Sequence, residues 1–581
     1  MLLVLLATAC GRVGFDDQHG PDAGTVFGHV ALAAGGDARR VVAASPSLDV
    51  LFALFGDNRI VRSIDRGATF TDCGPISDVV NDLVAKQDGS VYVAAAGDVF
   101  ESHDDCATFS ANGLGSYWTA IAADGSDLWA GTAPGLRRRR LGTWQPIVIP
   151  LSAAVVTKIL VGASYLVATN RGIVRSVDGI TWVTANTGLA GLEVLDLASV
   201  PGRVYAATNA GLHVSLDGGV SWSRLSNEWG DVVAADPGDP AVVGRWWYSG
   251  FATTTDAGTN WSLDVRSPEM DRSRISDVLF DPAGSGAMIV ATGRGLFIAD
   301  HVGLPFRQLG ALDAWTIHAL VVSNGDQFLG TSAGLLRSSD GVTYTVHDPG
   351  SPVHSLVRNV LAPAERPGTV YAAGLSLARS DDRGDHFSDA YVPTLSDGYV
   401  VRDVVSTGGV LFASTDARVL SSPDGLTWSA RGLAAQWTTR IFAIAGTPVR
   451  LLVATDAGVL YSSDGGTTFT STNLPSESYA FAVLPEGTLV AGTLDGVYAS
   501  PTGATWQRRG LTGMSVRALA QVNGTLVATQ IDRVSYSTDG GMTFSDVPGF
   551  TGRNPISLAV DPHGALLVGT SGYGLYRLTL P

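Results

Sequence analysis

A chain of 581 residues is too long for one ordinary domain, so two or more units are expected. Hydrophobic residues make up 45% and charged residues only 16%, which argues against disorder. A formal charge of −16 is the wrong sign for neutralising phosphates and argues against nucleic acid as a partner.

The chain begins MLLVLLATACGRVGFDDQHGPDAG. Leu2 to Leu6 form a short apolar run, and the small residues Ala7, Thr8 and Ala9 lead into Cys10. This resembles the end of a bacterial lipoprotein signal, although no Lys or Arg precedes the run and the run is short. A start assigned too late would account for both departures; a fortuitous apolar N-terminus is the alternative. The resemblance implies that residues 1–10 are a signal segment, that Cys10 is lipidated, and that 11–24 form a flexible tether. The implied location is the cell envelope or the extracellular space. A bacterial outer membrane would be touched only through acyl chains on Cys10. The other two cysteines, Cys73 and Cys106, are an even pair in an exported chain; they are read as a disulfide, with two unpaired thiols as the alternative.

From Ser63 onward one phrase recurs: SIDRGATF at Ser63, SHDDCATF at Ser102, SVDGITW at Ser176, SLDGGVSW at Ser215 and TTDAGTNW at Thr254. Then come SSDGVTY at Ser338, SDDRGDHF at Ser380, SPDGLTW at Ser422, SSDGGTTF at Ser462, SPTGATW at Ser500 and STDGGMTF at Ser537. Most intervals are 37 to 42 residues, and the two long ones, 74 and 84, each hold a worn copy, ending at Trp144 and Phe306. Ahead of each phrase lie three short runs with period-two alternation and Gly or Pro turns; a fourth follows the aromatic. Four antiparallel strands every ~40 residues is the pattern of a propeller blade.

Thirteen phrase positions give thirteen blades, and the tail from Pro555 to Pro581 supplies three more strands. The expected fold is all-β, two tandem β-propellers of about seven four-stranded blades each, at 25–308 and 309–581; six plus eight remains open. Thr25 to Ala33 is a spare strand that could complete the last blade and remove an exposed edge.

In each phrase the Ser ends a third strand and the aromatic begins a fourth, so Asp and Gly occupy the turn between them. Asp and Ser side chains bond nearby turn backbone, Gly takes positive φ, and the aromatic buries surface between blades. Asp65, Asp104, Asp178, Asp217, Asp256, Asp340, Asp382, Asp424, Asp464 and Asp539 are therefore read as structural, because chemistry needs one constellation and packing needs one set per blade. Ser462, Asp464, Gly466, Thr468 and Phe469 match the Asp-box, or BNR, repeat; the Ser215 and Ser537 copies match it too, and the Ser176, Ser338 and Ser422 copies are one residue shorter.

The chain thus resembles the Asp-box propellers, a group that spans sialidases, sortilin-type receptors, photosystem II assembly factors and xyloglucan hydrolases. A sialidase-like reading implies an Arg-Ile-Pro motif, which is missing, and a sortilin-like one implies a cysteine-rich module that three cysteines cannot supply. In size the best match is the tandem seven-bladed xyloglucan hydrolases, which implies a cleft between two rings with one catalytic Asp from each. That family's Gly-Thr-Asp-x-Gly-Gly strand has only a distant echo in GTSGYGLYR, Gly569 to Arg577, so no catalytic pair is assigned.

The loops from one blade to the next lie on the face opposite the Ser-x-Asp turns. Trp118, Trp229, Trp315, Trp437, Tyr399 and Tyr479 fall there, with Asp231, Asp313 and Asp397 close by. They are the candidate ligand residues for stacking on sugar or gripping a protein loop; packing at blade junctions is the alternative. Trp246 to Tyr248 and the basic run Arg137 to Arg140 are read as strand residues. No metal-spaced histidine cluster or nucleophile elbow occurs, so no metal or cofactor is implied. The resulting reading is an exported, lipid-anchored monomer that binds protein or polysaccharide without catalysis, the alternative being an inverting glycoside hydrolase.

Overall fold

The computed structural model describes residues 27–580 except 31–34, 45, 134, 229, 248–249, 264–274, 311–312, 333, 348–355, 394–399, 435–436, 475–477, 562–563 and 579. Cys10 and the tether therefore lie outside the described residues. Among those described there is no helix; fourteen four-stranded antiparallel sheets follow one another along the chain.

Each of the first thirteen blades is a meander in sequence order. The eleventh, for example, runs through Thr438–Ile444, Arg450–Thr455, Gly458–Ser462 and Thr470–Ser471. Its second strand, RLLVAT, is apolar on both faces because it lies between two neighbouring blades, and Leu451 to Ala454 are completely buried. Its two-residue outer strand is exposed.

The first ring closes where the seventh blade, beginning with Ile275–Phe280, packs on Ala38–Ala43 of the first. One cluster there joins Val41, Ala53 and Val61 to Ile289, Leu296 and Ile298. In the second ring Pro555–Val560 of the last blade packs on Ile317–Ser323 of the eighth, and a second cluster joins Leu329 and Leu336 to Leu567 and Leu575. The fold is therefore a seven-plus-seven tandem propeller. Phe27–Val30 pairs antiparallel with Leu575–Leu578 as the fourth strand of the last blade. The boundary at 25 put this segment with the first ring. Its hydrogen bonds put it in the second, as the expected strand that completes the last blade.

The Ser-x-Asp turns form one repeated network. In the Ser462 copy the Ser Oγ donates to Asp464 Oδ1 at 2.8 Å, and the Gly466 N–H donates to the Ser Oγ at 2.9 Å. Thr468 then donates to Asp464 from both N and Oγ1. The two phrase lengths have a backbone cause. Longer copies place two successive residues at positive φ, such as Gly465 and Gly466 or Arg66 and Gly67; shorter ones place a single glycine there, as at Gly179, Gly341 and Gly425. All ten aspartates accept from their own turns. Those hydrogen bonds, led by that from Thr69 Oγ1 at Asp65, hold the carboxyls well below the usual range, Asp65 and Asp104 at about 2.

Cys106 stands where other copies carry glycine. It has φ 68°, its N–H donates to Ser102 Oγ at 3.1 Å, and it is disulfide-bonded to Cys73 across a Cα–Cα distance of 5.1 Å. The bridge ties the turn of the second blade to the outer strand of the first.

Candidate functional site

The first strand of each blade lines the ring's central channel. In eleven of them the pairing with the second strand slips by one residue near the start, as between Val401 and Asp403. A one-residue bulge re-aims a side chain. Here it turns one residue per blade toward the channel mouth, opposite the Ser-x-Asp turns.

The residue after the bulge holds adjacent blades together. Asp82, Asp196, Asp277 and Asp403 each accept from a backbone N–H of the next blade, Ile121, Val233, Val41 and Ile441, at 2.9 to 3.1 Å. In the first ring these carboxylates also match the channel's cations. Arg40 lies 2.8 Å from Asp82 and 3.2 Å from Asp277, and Lys158 lies 3.2 Å from Asp196.

The second ring is different. Its bulge residues His318, Arg402, Thr439, Tyr479 and Ile556 line a cavity of about 420 Å³ at the channel mouth. Arg358, Arg440 and Arg517 join Arg402 there, so four blades contribute four guanidiniums. Among the described residues no carboxylate lines this cavity; Asp403 lies deeper in the channel. Arg402 donates from Nε to Asp416, and its guanidinium sits 4.8 Å from the ring of Trp437, which is 49% exposed. Arg440 comes no closer than 4.0 Å to Asp403. Arg517 donates to Asn554 at 2.8 Å and lies 4.0 Å from Asp57. His318 is bonded to Ser332 at 2.9 Å; burial, then the charge of Arg358, pushes its imidazole down to about 4, so it is neutral.

The candidate residues divide on this geometry. Trp437 and Tyr479 stand at the mouth. Trp118 and Trp315 do not: they are 0% and 1% exposed, Trp118 packed beside Trp144, so their surface is spent between blades and cannot reach a ligand. Asp313 lies in a short parallel pairing, Asp313–Ala314 with Gly35–Gly36, that joins the segments preceding the two rings. Asp231 is half-buried at the entry to the sixth blade. Trp229, Asp397 and Tyr399 lie outside the described residues. Arg137 to Arg140 lie on the strand Gly135–Arg140, where Arg138 pairs with Asp127 and Arg139 with Glu101. Trp246 and Trp247 end the strand Val243–Trp247. The sequence reading missed the four arginines, although VRN, VRD, TTR and VRA stand at the same point of four repeats.

The rings meet at Gly56–Asp57 of the first blade and Ser571–Gly572 of the last. The Asp57 N–H donates to Ser571 Oγ at 3.0 Å, and Arg59 donates to Gly572 O at 3.1 Å. The stretch that echoes the hydrolase motif is thus part of the ring–ring junction. Asp57 itself is engaged by Arg39 at 2.8 Å and by Asn554 at 3.3 Å.

The family model described as the DUF6242 beta propeller domain matches residues 369–493, less than a quarter of the chain. No curated protein matches. Among solved structures, the GH74 xyloglucanase from Xanthomonas campestris superposes with a TM-score of 0.59 at 16% identity, covering 96% of this chain and all of that one. An ancestral GH74 enzyme gives 0.58 at 14% identity, covering 96% and 99%. The GH74 enzyme of Niastella koreensis gives 0.56 at 15%, covering 95% and 99%. At these identities the likeness shows the fold alone.

Proposed function

We propose that this chain is an exported, non-catalytic tandem propeller, tethered through Cys10, that binds a carbohydrate or protein ligand at the mouth of its second ring. The supporting observation is the cavity of about 420 Å³ in which Tyr479 accompanies four guanidiniums from separate blades, one of them, Arg402, seated 4.8 Å from the ring of Trp437. Concave sites of a few hundred Å³ with a few convergent polar groups are where ligands bind.

The hydrolase alternative draws on the shared architecture. An inverting glycosidase needs an acid and a base carboxyl ~6.5–9.5 Å apart, the acid with a raised pKa. Burial raises Asp277 and Asp403, but both are buried and already accept from Val41 and Ile441. Asp57, at the junction, is held by Arg39 and Asn554. These commitments favour binding over cleavage.

Incubation with xyloglucan and β-glucans, scored for both retention and new reducing ends, tests the reading. Retention without cleavage is expected. Turnover that disappears in Asp57→Asn would replace it with the hydrolase.

A further inference from the structure

Resting on that reading, we infer that the second-ring mouth recognises a sugar bearing an oxyanion: a carboxylate, as in a uronate, or a sulfate or phosphate ester.

The first ring serves as an internal control. If channel arginines served only to join blades, each should meet the carboxylates that do the joining. In the first ring they do: Arg40 and Lys158 are matched by Asp82, Asp277 and Asp196. The second ring keeps the joining contact, Asp403 to Ile441, yet concentrates four arginines around the mouth. Joining blades explains the carboxylate, but Arg440 comes no closer to it than 4.0 Å, and Arg402 and Arg517 lie against Asp416 and Asp57 instead. Clustered like charges repel one another, and they do so here within a chain of formal charge −16.

The hydrogen-bond inventory points the same way. Arg402, Arg440 and Arg517 offer about five side-chain N–H donors each. Among the described residues Asp416 accepts from Arg402 and Asn554 from Arg517, and Arg440 donates to none. Guanidinium forks match the paired oxygens of carboxylates and phosphates. Asp416 and Trp437 fix the guanidinium of Arg402 in place, which lowers the ordering cost of binding. His318 beside them is neutral and so adds no further repulsion to the four cations.

The rest of the lining selects a sugar over a bare anion. Thr439 and Ser515 offer hydroxyls and Tyr479 a ring of the kind that stacks on a pyranose, with the half-exposed Trp437 beside Arg402. The volume suits one or two sugar units.

Calorimetry at low salt tests this with four probes: a uronate trisaccharide, the same trisaccharide with its carboxyls reduced to alcohols, a hexose phosphate, and inorganic phosphate. At least one charged sugar should bind about tenfold or more tighter than the reduced trisaccharide, as expected for charge-assisted hydrogen bonds. The order of uronate and hexose phosphate identifies the source of the oxyanion. Arg440→Gln should weaken the charged sugar by about tenfold and leave any binding of the reduced one unchanged. Arg440→Lys, which keeps the charge and loses the fork, should recover part of it and guards against misfolding as the cause.

Equal binding of charged and reduced trisaccharides, both lost in Trp437→Ala, would overturn the oxyanion inference while sustaining a sugar site. Inorganic phosphate binding as tightly as either sugar anion would overturn the sugar part. Failure of all four probes, together with capture of an acidic peptide, would overturn the inference and leave binding at the mouth intact. Failure of all four with cleavage of xyloglucan would overturn both.

Discussion

The Asp277 carboxylate accepts a hydrogen bond of 2.9 Å from the backbone N–H of Val41, a residue 236 positions earlier in the chain. That bond, with the Arg40–Asp277 contact at 3.2 Å, joins the seventh blade to the first. The same clasp recurs inside the rings at Asp82, Asp196 and Asp403, so closure uses a contact that three other blade junctions share. Asp277→Ala would leave a buried N–H unsatisfied and remove half of the carboxylate partnership of Arg40. A loss of about 2–4 kcal/mol is expected, in line with breaking a buried, hydrogen-bonded pair. Denaturant titration followed by tryptophan fluorescence should show the first ring unfolding earlier, and Asp277→Asn, which retains an acceptor, should fall between.

The turn aspartates set an acid limit. In the unfolded chain they titrate near 3.8; in the turns Asp65, Asp104, Asp256 and Asp464 sit at about 2. A depressed folded value means that the unfolded state binds protons first. Their stabilisation is therefore complete above about pH 4 and is lost as pH falls toward 2. His318 acts in another window. Its folded value of about 4 lies below the ordinary 6.5, so the advantage of keeping it neutral is complete above about 6.5 and is lost between there and 4. Melting temperatures from pH 8 to 2 should show two steps, and His318→Gln should diminish the upper one, to which His213 and His347, also pushed down by burial, contribute.

The Ser500 copy tests the turn from the other direction. Thr502 stands in the aspartate position and receives one long bond, 3.3 Å from the Ala504 N–H, where Asp424 in the equivalent short turn receives Leu426 and Thr427 at 2.9 and 2.7 Å. Thr502→Asp should therefore stabilise the twelfth blade by about 0.5–1 kcal/mol, read as a rise in the unfolding midpoint above pH 5. No change, or a fall, would mean that the aspartate is dispensable to the turn.

These two turns also show why the fold was legible and the site was not. A Ser-x-Asp turn is built from residues within seven positions of one another, so its chemistry is written in one short phrase, and repetition makes it unmistakable. Burial of an aromatic beside it depends on a single residue of register. Trp118 precedes the bulge of its strand and is buried; Tyr479 is the bulge residue and faces the mouth; Trp437 lies one place before its strand and is half exposed. Nothing local distinguishes the three, because a one-residue shift reverses which way a strand side chain points. The arginines were hidden for another reason: Arg358, Arg402, Arg440 and Arg517 are separated by whole blades, and only ring closure brings them together.

The disulfide offers a test of position as well as of bonding. Cys106 holds φ 68° where other copies place glycine, so its covalent bond must offset a backbone cost of about 1 kcal/mol. Reduction should lower the stability of the first ring by about 2–4 kcal/mol for a loop with sequence separation 33. Cys73→Ser combined with Cys106→Gly should recover about 1 kcal/mol relative to Cys73→Ser with Cys106→Ala, because glycine alone adopts the left-handed turn freely. Equal midpoints for the two double variants would mean that the turn relaxes once the bridge is gone.

Contact between the rings depends on two glycines. A Cβ on Gly572 would meet the Phe55 carbonyl oxygen at 2.6 Å, and one on Gly56 would meet the backbone of Ser571 at 2.5 Å; both have positive φ, at 86° and 56°. Neither contact is with a flexible side chain, so neither can yield without moving a hairpin. Arg59 is tied to the same place through the Gly572 carbonyl and lies 5.2 Å from the ring of Tyr573, whose hydroxyl burial pushes up. Gly572→Ala should therefore part the junction and leave the blades intact. The expected result is two separated unfolding transitions where the parent shows coupled ones, with strand content by circular dichroism unchanged. Arg440 and Arg402 do not touch this hairpin among the described residues, so ligand affinity at the second-ring mouth should survive the change. Loss of affinity in Gly572→Ala would mean instead that the first ring helps to shape the site, through the Asp57–Arg517 approach of 4.0 Å.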